Sequence, residues 1–434
     1  MNSQRRKFVH SAALGVAAIS TGVSSSFAGS RLKQEIHNPL VIQFDGGDLQ
    51  EAIDSAPSFS TILCNRNVQL IVESPVLIKR PITIKNLNAR LPDALGKSAI
   101  LEVHSQHVTI SDFYLQGNTD TVNQLQRAPL IRIHKSNFRL ERGEFENSSK
   151  DGVEISPLAN SESIDGGVIR DIVGRGCVRD VISMNGTHEE KSAYIRNILV
   201  ENIRGYNSSM RGTIEVSDGS ENITIRKIYA EKCVYAVDWQ DHNRKPEINR
   251  NVLIDDVYAL DCRFAVRNAV QDFGHSNLTI TNVIAERCLE PIKLTNTSNI
   301  VLENIRVIDH LGDKNPIYAG NCHGLIIRNI SIINSTSNKE GVLVENCDEL
   351  LIDHIVFSGE VSSLSTGLAY LISNDNQYRN LRISNVCTRN ANIKEGIILL
   401  HKNNATLDNC LISGNISTVK DLINGKNALI NNNL

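Results

Sequence analysis

The sequence predicts an all-β protein built as a parallel β-helix, a solenoid of stacked short strands, and three observations carry that expectation. The first is an internal repeat: "NILVENI" from Asn197, "NITIRKI" from Asn222, "NVLIDDV" from Asn251, "NLTITNV" from Asn277, "NIVLENI" from Asn299, "GLIIRNI" from Gly324, "ELLIDHI" from Glu349 and "NLRISNV" from Asn380, with starts roughly 22 to 31 residues apart. The second is its pattern. Apolar residues fill the second, fourth and seventh places, an alternation that marks strands with one buried face, and no helical period competes with it. The third is the sixth place, which reads Asn202, Lys227, Asp256, Asn282, Asn304, Asn329, His354 and Asn385. Asn tolerates left-handed backbone and its amide can bond the next rung, so this column reads as a stacked turn.

From the N-terminus, Arg5 and Arg6 precede Lys7, Phe8 and a short apolar run from Ala12 to Ile19, followed by small residues up to Ala28. That arrangement is similar to a twin-arginine export signal, assigned to residues 1–28 and too short to span a bilayer. It implies the twin-arginine export machinery as a partner, a periplasmic or secreted location, and no membrane insertion after signal removal. The nine cysteines are an odd number without a C-x-x-C spacing. Export of a chain folded in a reducing compartment argues against a disulfide framework. Cys177, Cys233, Cys262 and Cys288 each precede a strand and are expected to form an inward stack of thiols. The formal net charge of -3 gives no reason to expect nucleic acid.

Residues 29–47 form a lead-in, and "DLQEAIDSAP" from Asp48 opens the β-helix domain, 48–418, as a short amphipathic helix over the first rungs. Residues 419–434 are left as a C-terminal cap or tail. With this helix in place, repeat length and Asn turn resemble the single-stranded right-handed parallel β-helix of the pectin-lyase-like superfamily, with an N-terminal helical cap, over about residues 40 to 415. The resemblance implies a polysaccharide partner bound along one sheet.

A second strand lies between successive repeat segments. Aligning Val237, Val266 and Ile292 toward the core leaves an outward column of Glu154, Glu215, Asp238, Arg267, Lys293, Tyr318 and Leu343, with either Ile182 or Ser183 on the ambiguous rung. Glu215, Asp238, Arg267 and Lys293 then span about 15 Å, enough for several sugar units. Asp241, His242, Asp272 and His275 are placed on a loop rim, with Glu154, Asp241, His242 and Tyr318 as substrate-binding residues.

Two chemistries fit that column. A polysaccharide lyase would neutralise a uronate with Arg267 or with a calcium ion (Ca2+) held by Glu215 and Asp238, and would use Lys293 as base. A glycoside hydrolase would pair Glu215 with Asp238 at about 5 Å. The structural alternative makes Asp238 and Arg267 a cross-strand ion pair on a solvated face. His310, His323 and His354 have no partner at metal-ligand spacing and read as turn or surface residues. "KDGVEI" at Lys150 resembles polygalacturonases, without their paired aspartates or Gly-His-Gly segment. The export signal, "VDW" and "PIYAGNCHGLIIRNISIINS" together resemble the exported accessory proteins of colanic acid biosynthesis. This implies a role in exopolysaccharide synthesis or processing.

Overall fold

A computed structural model describes residues 40–431 apart from 94–97, 120–126, 159–161, 187–192, 243–247, 270–273, 360–363, 375, 392, 394, 402–405, 416–418 and 422–428. The export signal and Asp272 lie outside the described residues. The chain from Pro39 onward forms one compact unit. Long strands such as Ile195–Tyr206, Ser220–Glu231 and Thr297–His310 alternate with short ones such as Gly212–Ser217, Tyr235–Gln240 and Ile292–Thr295. The long strands stack in an 18-stranded sheet and the short ones in a 14-stranded sheet, and each rung pairs parallel with the next. This is the right-handed parallel β-helix.

All eight sixth-place residues, from Asn202 to Asn385, have positive φ between 54° and 58°. They bend each long strand within a continuous ladder instead of ending it. The amides stack as expected: Asn304 Nδ2 donates to Asn282 Oδ1 and Asn329 Nδ2 to Asn304 Oδ1, both at 3.2 Å. A second ladder, unforeseen, runs through the first place, where Asn222, Asn251, Asn277 and Asn299 each donate to the residue one rung below.

Inside, the apolar places of both sheets stack into one core, with Val153, Ile182, Ile214, Val237, Val266 and Ile292 in one fully buried column. Each such side chain contributes about 1.5–3 kcal/mol of burial. Cys177, Cys233, Cys262 and Cys288 are buried free thiols, as the inward stack requires. Cys262 and Cys288 point their Sγ atoms at the Ala230 and Ala259 carbonyls of the preceding rung.

The helix spans Leu49–Ser55, capped by Asp48, whose carboxylate accepts from the Gln50 and Glu51 amides. It buries Leu49 and Ile53 and is tied to the strand Val76–Ile78 through paired hydrogen bonds between Gln50 and Leu77. The domain limits need correction at both ends. Strand Val41–Phe44 pairs with Thr61–Cys64, so the ladder begins within the lead-in. Strands Val419–Asp421 and Leu429–Asn431 pair with the preceding rungs, so the tail continues it.

Candidate functional site: a buried charge network beside an open cationic groove

The short-strand sheet aligns the outward column in the expected register: Glu154, Ser183, Glu215, Asp238, Arg267, Lys293, Tyr318 and Leu343 are successive Cα partners. The ambiguous rung resolves to Ser183. What the column does not share is exposure, because Glu215 and Asp238 are 0% exposed where a solvated face was expected. Side chains from neighbouring rungs cover them.

Among the described residues Asp238 is held by Arg267, with Nε donating to Oδ1 at 3.1 Å and Nη2 to Oδ2. The same guanidinium lies over the rings of Tyr235 and Phe264. Burial pushes the Asp238 carboxyl up, opposed by the Arg267 hydrogen bonds. Glu215 accepts from Arg211, Arg179, Gln240 and Ser183. Arg267 is therefore not free for a sugar carboxylate. The oxygens of Glu215 and Asp238 are already engaged by guanidinium groups, so this pair does not fit a calcium ion as arranged. Asp238 also keeps no oxygen open to water, which disfavours it as half of a glycosidase pair.

The column reasoning missed the residues that open the same strands. Lys150, Arg179 and Arg211 form one stack, and Asp151 and Asp180 stand beside it. Asp180 Oδ1 accepts from the Tyr235 hydroxyl at 2.8 Å and the Gly212 amide at 3.1 Å, while Oδ2 meets no donor among the described residues. A buried carboxyl oxygen without a donor is costly unless it carries the proton itself. Burial, then the facing Glu215 and Asp151 charges, push Asp180 well above the usual carboxylate range. Burial also works against ionised Glu215, but the Asp180 hydrogen bond, the Arg211 and Arg179 charges and His242 outweigh it and pull that group down to about 2. The two carboxyls are thus shifted in opposite directions, Asp180 up and Glu215 down.

His242 folds back onto this network instead of forming a rim. Its amide donates to Asp218 Oδ1 at 3.0 Å, Nδ1 lies 2.6 Å from Asp218 Oδ2, and Nε2 lies 3.5 Å from Glu215 Oε1. Asp218 is the main cause raising the His242 pKa. Asp241 is buried as well and faces His275 Nε2 at 3.1 Å, while the Asn249 amide donates to His275 Nδ1. These contacts place Asp241 and His275 in the wall. Glu154 sits at the other end of the network, paired with Lys150 at 2.6 Å.

Two of the nominated residues meet in open space. Lys293 and Tyr318 line a groove of about 500 Å³ together with Arg263, Glu290, Lys314 and Asn315. Arg263 is paired with Glu290, whereas neither Lys293 nor Lys314 makes an ion pair among the described residues. The Tyr318 hydroxyl donates to Glu345 at 3.1 Å, and burial together with Glu345 raises its pKa. Tyr206, Tyr229 and Tyr258 form a separate ladder on the other sheet. Tyr229 and Tyr258 stack at 5.7 Å with rings 5° apart, and the three tyrosines line a second open groove of about 460 Å³.

No family model and no curated protein matches the chain in sequence. Solved structures match its fold. The N-terminal fragment of bacteriophage phi29 gene product 12 is 12% identical at a TM-score of 0.59, covering 85% of this chain and 76% of that one. The catalytic unit of a GH87 alpha-1,3-glucanase from Streptomyces thermodiastaticus is 10% identical at 0.53, covering 93% and 70%. The Azotobacter vinelandii mannuronan C-5 epimerase AlgE4 A-module is 12% identical at 0.46, covering 88% and 94%. At these identities the shared property is the right-handed β-helix itself.

Proposed function

We propose that this chain is an exported polysaccharide-active protein, a lyase-type enzyme that cuts an acidic exopolysaccharide during its synthesis or processing. The observation that carries this reading is the groove lined by Lys293, Lys314 and Tyr318, in which neither lysine makes an ion pair among the described residues. Lys314 binds the uronate carboxylate. Lys293 is the base for the proton beside that carboxylate, the C4–O bond breaks as the C4–C5 double bond forms, and Tyr318 protonates the departing oxygen. The groove's cationic lining selects an acidic polymer over a neutral one. A twin-arginine signal and the resemblance to colanic acid accessory proteins support action in the periplasm or outside the cell. A β-helix neighbour that is a glucanase supports polysaccharide chemistry on this scaffold.

The test is incubation with acidic bacterial polysaccharides, with and without EDTA, following the ultraviolet absorbance of an unsaturated uronate. Wild type should generate it and Lys293→Ala should abolish it; unchanged cleavage in that variant would sink the site. New reducing ends without the absorbance would favour hydrolysis instead. Binding across the panel without either product would favour a non-catalytic accessory role.

A further inference from the structure

The first rungs carry a second cluster, far from the groove. Strands Leu101–Val103 and Ile131–Ile133 are adjacent, with Val103 opposite Ile133, so His104 and His134 leave them one above the other with ring centroids 5.0 Å apart. Glu102, in the outward column, brings Oε2 to 3.4 Å from His104 Nε2. One ligand atom from each of Glu102, His104 and His134 lies within 4.8 Å of the other two. That closeness is the geometry from which a small rotamer adjustment closes a coordination shell.

His134 is prepared for such a role. Its Nδ1 donates to the Ser156 carbonyl at 2.7 Å, which fixes the proton there and leaves the lone pair on Nε2. Metal-binding histidines characteristically have their other ring nitrogen tied down in this way. Arg132 competes, since its Nη1 donates to Glu102 Oε1 at 2.9 Å. It leaves Oε2 to His104, and its Nε is already 3.7 Å from Glu154, which can hold the guanidinium if Glu102 turns to a metal.

We propose that Glu102, His104 and His134 bind one first-row transition metal ion, with water completing the shell. Two imidazoles and one carboxylate suit zinc, cobalt or nickel and disfavour calcium or magnesium, which take oxygen donors. Register puts Glu102 seven rungs before Lys293, about 34 Å along the sheet. The site is therefore separate from the proposed groove, and it clips two adjacent rungs together near the N-terminal end. Binding stabilises the folded chain by mass action.

The experiment titrates the metal-stripped full chain with Zn2+ against a chromophoric chelator, then repeats the titration with Co2+ to read its visible spectrum. One equivalent should bind, with an added rise in melting temperature, and millimolar Ca2+ should not displace it. Glu102→Gln and His134→Ala should each weaken binding about 100-fold, while Arg132→Gln should retain or tighten it. If His134→Ala does not fold, the partly exposed Glu102 still decides the matter. Binding unaffected by Glu102→Gln, thiolate charge-transfer bands with Co2+, or no binding by the folded wild type would each overturn the assignment.

Discussion

Two stretches of one column, separated by a single rung spacing, behave in opposite ways. From Glu215 to Arg267 each charge in the column meets an opposite charge on its own or a neighbouring rung, and both carboxylates vanish from the surface. At Lys293 the neighbours are Arg267, committed to Asp238, and Tyr318, a phenol. No acid answers this lysine among the described residues, and a groove opens there. A stacked sheet thus uses the same outward positions for two ends. Acid above base makes wall; base above phenol leaves reactive groups accessible.

Substitutions in the two stretches should separate these roles. Asp238→Ala strands Arg267, only 23% exposed, and is expected to cost about 3–5 kcal/mol in denaturant unfolding. Asp238→Leu combined with Arg267→Met should restore most of that loss, because a matched apolar pair carries no orphaned charge. If Asp238→Ala is neutral, the network is not the wall described.

A smaller effect tests the proton on Asp180. Its folded pKa is raised, so the native state keeps a proton that the unfolded chain releases from about pH 4 upward. The contribution is fully present below the unfolded value and lost as pH rises through the window to the folded value, with a slope of up to about 1.4 kcal/mol per pH unit. Glu215, depressed, acts oppositely, losing its contribution as pH falls from its unfolded value toward about 2. Asp180→Asn keeps a donor toward Glu215 and cannot titrate. Its stability should therefore fall less than wild type above pH 4, and identical profiles would place the proton elsewhere. Lys293→Ala should move stability least, by about 0.5 kcal/mol or less, while removing cleavage.

Much of this architecture could be read directly from the repeats. Eight sixth-place residues of four different kinds share one left-handed conformation, because the stacked turn demands the same backbone whatever side chain fills it. Register was equally legible, since Val237, Val266 and Ile292 can face only one core. Burial of Asp238 and Glu215 was not. It is produced by side chains arriving from other rungs, and alternation within one strand carries no record of them. The sequence did hold a clue in "KDGVEI" and "RDVISM", where a basic-acidic pair opens successive strands at Lys150–Asp151 and Arg179–Asp180. Following the start of each strand as closely as its centre would have found Asp180. His104 and His134 escaped for a related reason: thirty residues apart along the chain, they become neighbours only when one turn closes.

The buried thiols make this solenoid its own unfolding gauge. Eight of the nine cysteines are inaccessible and Cys387 alone is partly open, so a thiol reagent should label the native chain at about one position. The others are distributed from Cys64 near one end to Cys410 near the other. Peptide mapping after brief labelling in mild denaturant would then report which turns peel away first, and whether the stack opens from its ends or splits in the middle.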